Sequence, residues 1–188
     1  MTVMTTLKDL SFETAAAAVD DGAAFIDLRP APAYLEVHIP GTLSLPYEFG
    51  PGLASRARDC LPLDLPLVLL DEPNIDSAHV AAALRGKGFD VIGRVRDGVT
   101  EWGQSHGPPN STEVISSAPS GGTLLDVGDP GAVVPDGATR IPVERLWVQT
   151  EGLVSPVAVV AGVGVRAALA VGILERAGID EVHFLKTR

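Results

Sequence analysis

The chain has 188 residues, 46% hydrophobic and 20% charged, so it is composed as a globular protein and sized for one medium domain or two small ones. Its 14 basic against 24 acidic side chains, a formal net charge of -10, repel nucleic acid and anionic lipid, and no basic cluster offsets them. One cysteine excludes an internal disulfide and a thiolate-rich metal site, and the four histidines stand apart without ligand spacing, so neither a metal nor another cofactor is expected.

No basic segment followed by an apolar core opens the chain, so no signal peptide is expected. Ser11 is an N-cap for a helix through Ala15-Ala16-Ala17-Ala18 that Gly22 closes. Ala24 to Leu28 is a short apolar strand, and Pro30 then suits the first turn of a helix reaching Glu36. Leu67 to Leu70, bounded by Pro66 and Asp71, has the continuous apolar character of a central parallel strand. Ser77 to Lys87 places Ala, Val and Leu on one helical face with Gly88 as the stop, and Val91 to Gly93 is the next strand. From Gly103 to Gly122 the composition turns to Gly, Pro, Ser, Asn and Thr, as in a linker, with Val114-Ile115 a short strand within it. A second series follows: an apolar run after Pro156, a helix from Arg166 to Ala177 stopped by Gly178, and a strand near Val182 to Leu185. The apolar stretch Leu153 to Leu174 is broken by Pro156 and Arg166, whereas a membrane span needs ~20 mostly apolar residues. The expected setting is a reducing cytoplasm, with neither membrane nor nucleic acid as partner.

Laid against itself, the chain repeats. Pro66 to Asp71 matches Pro156 to Ala161, and Leu84 to Asp90 matches Leu174 to Asp180, both at an offset of 90. Upstream, Phe25-Ile26-Asp27-Leu28-Arg29 matches Leu124-Leu125-Asp126-Val127-Gly128 at an offset of 99. Gly41 to Pro46 pairs with Gly137 to Pro142. Four matches in one order mark a duplicated α/β domain: residues 1–106, a linker at 107–122, and an abbreviated copy at 123–188. Each copy is expected to hold a small parallel sheet flanked by helices.

Asp27-Leu28-Arg29, Tyr34, His38-Ile39-Pro40-Gly41-Thr42 and Pro46 resemble the signature of rhodanese-like domains. Asp97-Gly98-Val99-Thr100-Glu101-Trp102 is similar to the segment that closes such a domain. The first copy most resembles the non-catalytic rhodanese portion of metallo-β-lactamase–rhodanese fusions, without the metallo-β-lactamase part. In active members a Cys begins the loop after the central strand, and an Arg closes it. Amide donors and a helix N-terminus there stabilise a thiolate and its persulfide. The resemblance places Asp71 and Ala161 at the nucleophile positions, and Asp76 and Arg166 at the loop-closing ones. It therefore implies two copies without catalytic residues, since persulfide chemistry needs a thiol.

Three readings follow. The leading one is an inactive binding module with a protein partner in sulfur metabolism. A second is a sulfurtransferase using Cys60 or a partner's cysteine. A third is a small-anion sensor built from Ala161, Gly162, Val163, Gly164, Val165 and Arg166, whose glycines and arginine keep the form of an anion cradle. The first loop carries Asp71, Glu72, Asp76 and the donor-free Pro73, and is expected to repel anions. A thiol placed at 161 is accordingly expected to ionise before one placed at 71.

Other signals are weaker. Gly162, Gly164 and Ala167 fit a dinucleotide fingerprint, but Glu181 precedes the next strand rather than ending it, and seven residues follow it. Cys60 has Arg56 and Arg58 as its nearby cations and reads as a packed or incidental thiol.

Overall fold

The computed structural model describes residues 6–48, 52–128, 131–162 and 164–187; Val163 of the second loop lies outside them. Ser11 caps α1 (Phe12–Asp20), its hydroxyl accepting the Thr14 amide at 3.1 Å, which satisfies one orphan donor of the first turn. Gly22 ends that helix at φ +112°, a conformation favourable to glycine. Then come β1 (Ala24–Asp27), α2 (Ala31–Glu36) behind Pro30, and β2 (Leu43–Ser44). They are followed by α3 (Leu53–Cys60), β3 (Leu67–Leu70), α4 (Ser77–Gly86), β4 (Val91–Val95) and α5 (Gly98–Ser105). The second half carries β5 (Val114–Ile115), β6 (Thr123–Asp126), β7 (Thr139–Arg140), α6 (Val143–Leu146), β8 (Val157–Val160), α7 (Gly164–Arg176) and β9 (Val182–Leu185).

The strands form two parallel sheets, ordered β2-β1-β3-β4 and β5-β9-β8-β6-β7. Read from β7, the second sheet runs β7-β6-β8-β9, the order of the equivalent strands in the first, with β5 added at its end. β1, β3 and β8 are buried along their full length, which explains their unbroken apolar character. Helix α7 begins at Gly164 rather than Arg166, so Gly164, Val165 and Arg166 form its first turn instead of a loop.

The segment from Gly107 to Gly122, read from composition as a linker, is tied to both halves. His38 and Asn110 exchange backbone hydrogen bonds of 2.9 and 2.8 Å, and the Thr112 amide donates to Leu35 at 2.7 Å. Val114 and Ile115 pair in parallel with Phe184 and Leu185 of β9.

The apolar core is continuous between the halves, joining Leu43, Ala57 and Leu84 with Leu146, Leu169 and Ile173. A smaller cluster sets Ala31, Tyr34 and Leu35 of α2 against Ala168 and Val171 of α7. Gly172 makes this approach possible: a Cβ there would overlap the Thr42 carbonyl oxygen beside β2. Among the described residues, no helix is long and apolar enough to cross a membrane.

Candidate functional site

Parallel sheets gather ligands where a strand ends and the next helix begins, and each sheet has such a crevice. In the first, the Asp71 amide donates to Val95 at 2.8 Å, seating the residue between the ends of β3 and β4. Its carboxylate accepts a short hydrogen bond from the Ser77 hydroxyl at the start of α4. It also lies 3.7 Å from Arg94 Nη1 and 3.5 Å from Arg96 Nε. The acidic loop is thus not without cations: the end of β4 brings two guanidinium groups to the carboxylate, although Arg94 is also bonded to Asp9 at 2.7 Å. Asp76, placed by the resemblance at the loop-closing position, is instead the N-cap of α4, its side chain accepting the His79 amide at 3.1 Å.

Arg29 forks onto Asp27, with Nη2 2.6 Å and Nε 3.1 Å from the carboxylate oxygens, and donates to the Val37 carbonyl at 2.7 Å. Its Nε lies 4.0 Å from Glu72. Burial pushes the Glu72 carboxyl up; Arg29 draws it back, while Asp27, Asp71 and Asp97 reinforce the rise. Arg29, Asp71, Glu72 and Asp97 line a cavity of about 240 Å³.

The second crevice repeats part of this plan. Asp126 accepts the Gly128 amide at 2.8 Å, as Asp27 accepts that of Arg29 at 2.9 Å. Gly128 stands where the first half has Arg29, and Arg140 of β7 supplies the missing cation, its Nη2 2.6 Å from Asp126. Sequence reading missed this exchange, although an aspartate retained without its arginine was a signal for it.

Ala161 follows β8, its methyl offering no nucleophilic atom. It lines a cavity of about 200 Å³ with Asp126, Val133, Gly162 and Arg166. Arg166 does not stand over this loop as a spare cation, which corrects the role expected of it. It is 8% exposed and donates to the carbonyls of Val127 at 2.9 Å and Gly128 at 3.2 Å. Both of its terminal nitrogens bond Glu144 of α6 at 2.7 Å. Burial pushes the Glu144 carboxyl up, but the Arg166 hydrogen bonds and the charge of Arg56 outweigh it and leave the group below its ordinary range. Gly162 stays exposed in the loop, and Val165 packs towards α2.

Cys60 lies in neither crevice. It ends α3 with 4% exposure, and its thiol is pushed up to about 12, chiefly by burial and further by Glu144. Among the described residues, no group of three or more His, Cys, Asp or Glu side chains could hold a metal ion.

Residues 11–105 match the rhodanese-like domain family. No curated protein matches the chain. Among solved structures, a rhodanese-like domain from an Anabaena sp. protein is 21% identical, with TM-score 0.44, over 68% of this chain and 90% of that one. Thiosulfate sulfurtransferase from Pseudomonas aeruginosa is 18% identical, with TM-score 0.44, over 97% of this chain and 43% of its own. The 3-mercaptopyruvate sulfotransferase SseA of Escherichia coli is 19% identical, with TM-score 0.40, over 96% and 98%. The family match takes in α1 through α5, with the Asp27–Arg29 fork and the crevice at Asp71, and extends over half of the sequence. On that match, the chain belongs to the rhodanese-like domain family.

Proposed function

We propose that the chain is a tandem pair of rhodanese-like domains, residues 1–106 and 123–188, that lacks sulfur-transfer chemistry and serves as a binding module for a protein partner in sulfur metabolism. One observation carries the reading: the residues at the two strand ends are Asp71 and Ala161, while the chain's one thiol is buried in α3 and ionises near 12. A persulfide forms from a thiolate, and neither crevice supplies one. A sulfurtransferase acting through Cys60 would have to open the core to reach it. The anion-sensor reading of Ala161 to Arg166 is weaker than the sequence alone makes it, because Glu144 already neutralises Arg166.

The test is a thiosulfate:cyanide sulfurtransfer assay on the full chain, with mass spectrometry after exposure to thiosulfate. Background turnover and an unmodified mass are expected. Stoichiometric sulfur on Cys60 with cyanide turnover would overturn the reading.

A further inference from the structure

Both ring nitrogens of His38 face oxygen atoms that accept hydrogen bonds. Nδ1 is 2.9 Å from the Tyr34 carbonyl, and Nε2 is 2.9 and 3.2 Å from the two carboxylate oxygens of Glu175 on α7. A neutral imidazole carries one N–H and would set a lone pair against one of these acceptors. Glu175 also accepts from the Gly41 amide at 2.8 Å and from Asn110 Nδ2 at 3.0 Å, so three donors converge on it, as suits an ionised carboxylate. Gly41 and Asn110 are neutral, so of the three donors His38 is the one able to carry a positive charge.

The imidazole is 0% exposed, and the pair spans the junction between the halves, 137 residues apart in sequence. The Tyr34 ring stacks on the imidazole at 4.1 Å. Its phenol, which donates to Thr42, is kept protonated by burial. Arg29 reaches the neighbouring Val37 carbonyl but is forked onto Asp27. Arg176, next to Glu175, donates to the carbonyls of Gly22 and Ala23.

We infer that the docking of α7 onto the first half is proton-linked, an imidazolium at His38 clasping the Glu175 carboxylate across the junction. Losing that proton puts a nitrogen lone pair against an acceptor and leaves a part-buried carboxylate without its counter-charge. The docked state binds the proton, so docking is strongest with it present and weakens as the pH rises. The undocked population then grows by up to about tenfold per pH unit. This is independent of whether the crevices bind anything.

The test uses the full chain and two readings. Nitrogen-15 spectra of the histidine rings at neutral pH should show both nitrogens of His38 protonated. Hydrogen exchange at the Gly41 amide reports the clasp, and its protection, corrected for intrinsic pH dependence, should fall as His38 loses its proton. In Glu175→Gln, the amide can donate to a neutral His38 and still accept from Gly41, so that fall should vanish. A wild-type His38 with one protonated nitrogen while Gly41 is protected overturns the inference, as do equal pH profiles for the two proteins. The ring spectra need no variant, so a poorly folding Glu175→Gln leaves the first criterion intact.

Discussion

Arg166 and Glu144 meet through two hydrogen bonds of 2.7 Å, joining the first turn of α7 to α6. The folded Glu144 carboxyl ionises below its ordinary value of 4.5. The pair's stabilisation is therefore in place above that value and is lost as the pH falls through the folded one. Glu144→Gln should lower the melting temperature at neutral pH by no more than about 3 °C, since the carboxylate is partly exposed and screened. Melting curves of the two proteins should converge in acid. A gap that persists unchanged there would rule out the ion pair as its cause.

Cys60 should resist alkylation in the native protein. With its thiol near 12, about one molecule in ten thousand is ionised at pH 8. Iodoacetamide should label it only once denaturant unfolds the chain. Rapid stoichiometric labelling without denaturant would contradict the burial argument.

At Gly172 two effects oppose each other. Helix propensity alone favours Gly172→Ala by roughly 1 kcal/mol. The new methyl, however, would overlap the Thr42 carbonyl oxygen, and backbone yields less readily than a side chain. Overpacking of this kind costs about 1–3 kcal/mol, so a net loss of stability is expected in urea unfolding. A more stable variant would show that α7 has room to move.

Thiols introduced by Asp71→Cys and Ala161→Cys, each in a Cys60→Ser background, test the electrostatics of the crevices. The sequence favours the thiol at 161. The contacts argue for the other order: position 71 faces Arg96, the Ser77 hydroxyl and Arg94, which also bonds Asp9, while at 161 the nearby Arg166 is paired with Glu144. The thiol at 71 should ionise first, below the free value of about 8.5. Alkylation rates against pH decide the order.

What the sequence makes legible is what neighbouring residues determine. Ser11 caps the first helix, Leu67 to Leu70 form the central strand, and the repeat anticipates matching sheet orders. Helix α3 is missed because Ala54 and Ala57 make its buried face small, although Leu53, Ala54, Ala57 and Cys60 hold helical spacing. The two-residue strands β2 and β7 are too short to leave a pattern. The electrostatics of the crevices is not local either: Arg94 reaches Asp71 from another strand, and Glu144 finds Arg166 from another helix. Reading charge along the loops therefore leaves out a partner at both ends.

The pairing of β5 with β9 bears on where the chain can be cut. A fragment starting at residue 123 would lack Val114 and Ile115 and leave the amides of Phe184 and Lys186 without the acceptors they have at Glu113 and Ile115. Such a bare strand is a template for joining other chains edge to edge. Starting the fragment at residue 107 instead keeps the strand that shields it. The segment that looks most dispensable by composition is thus a guard against self-association.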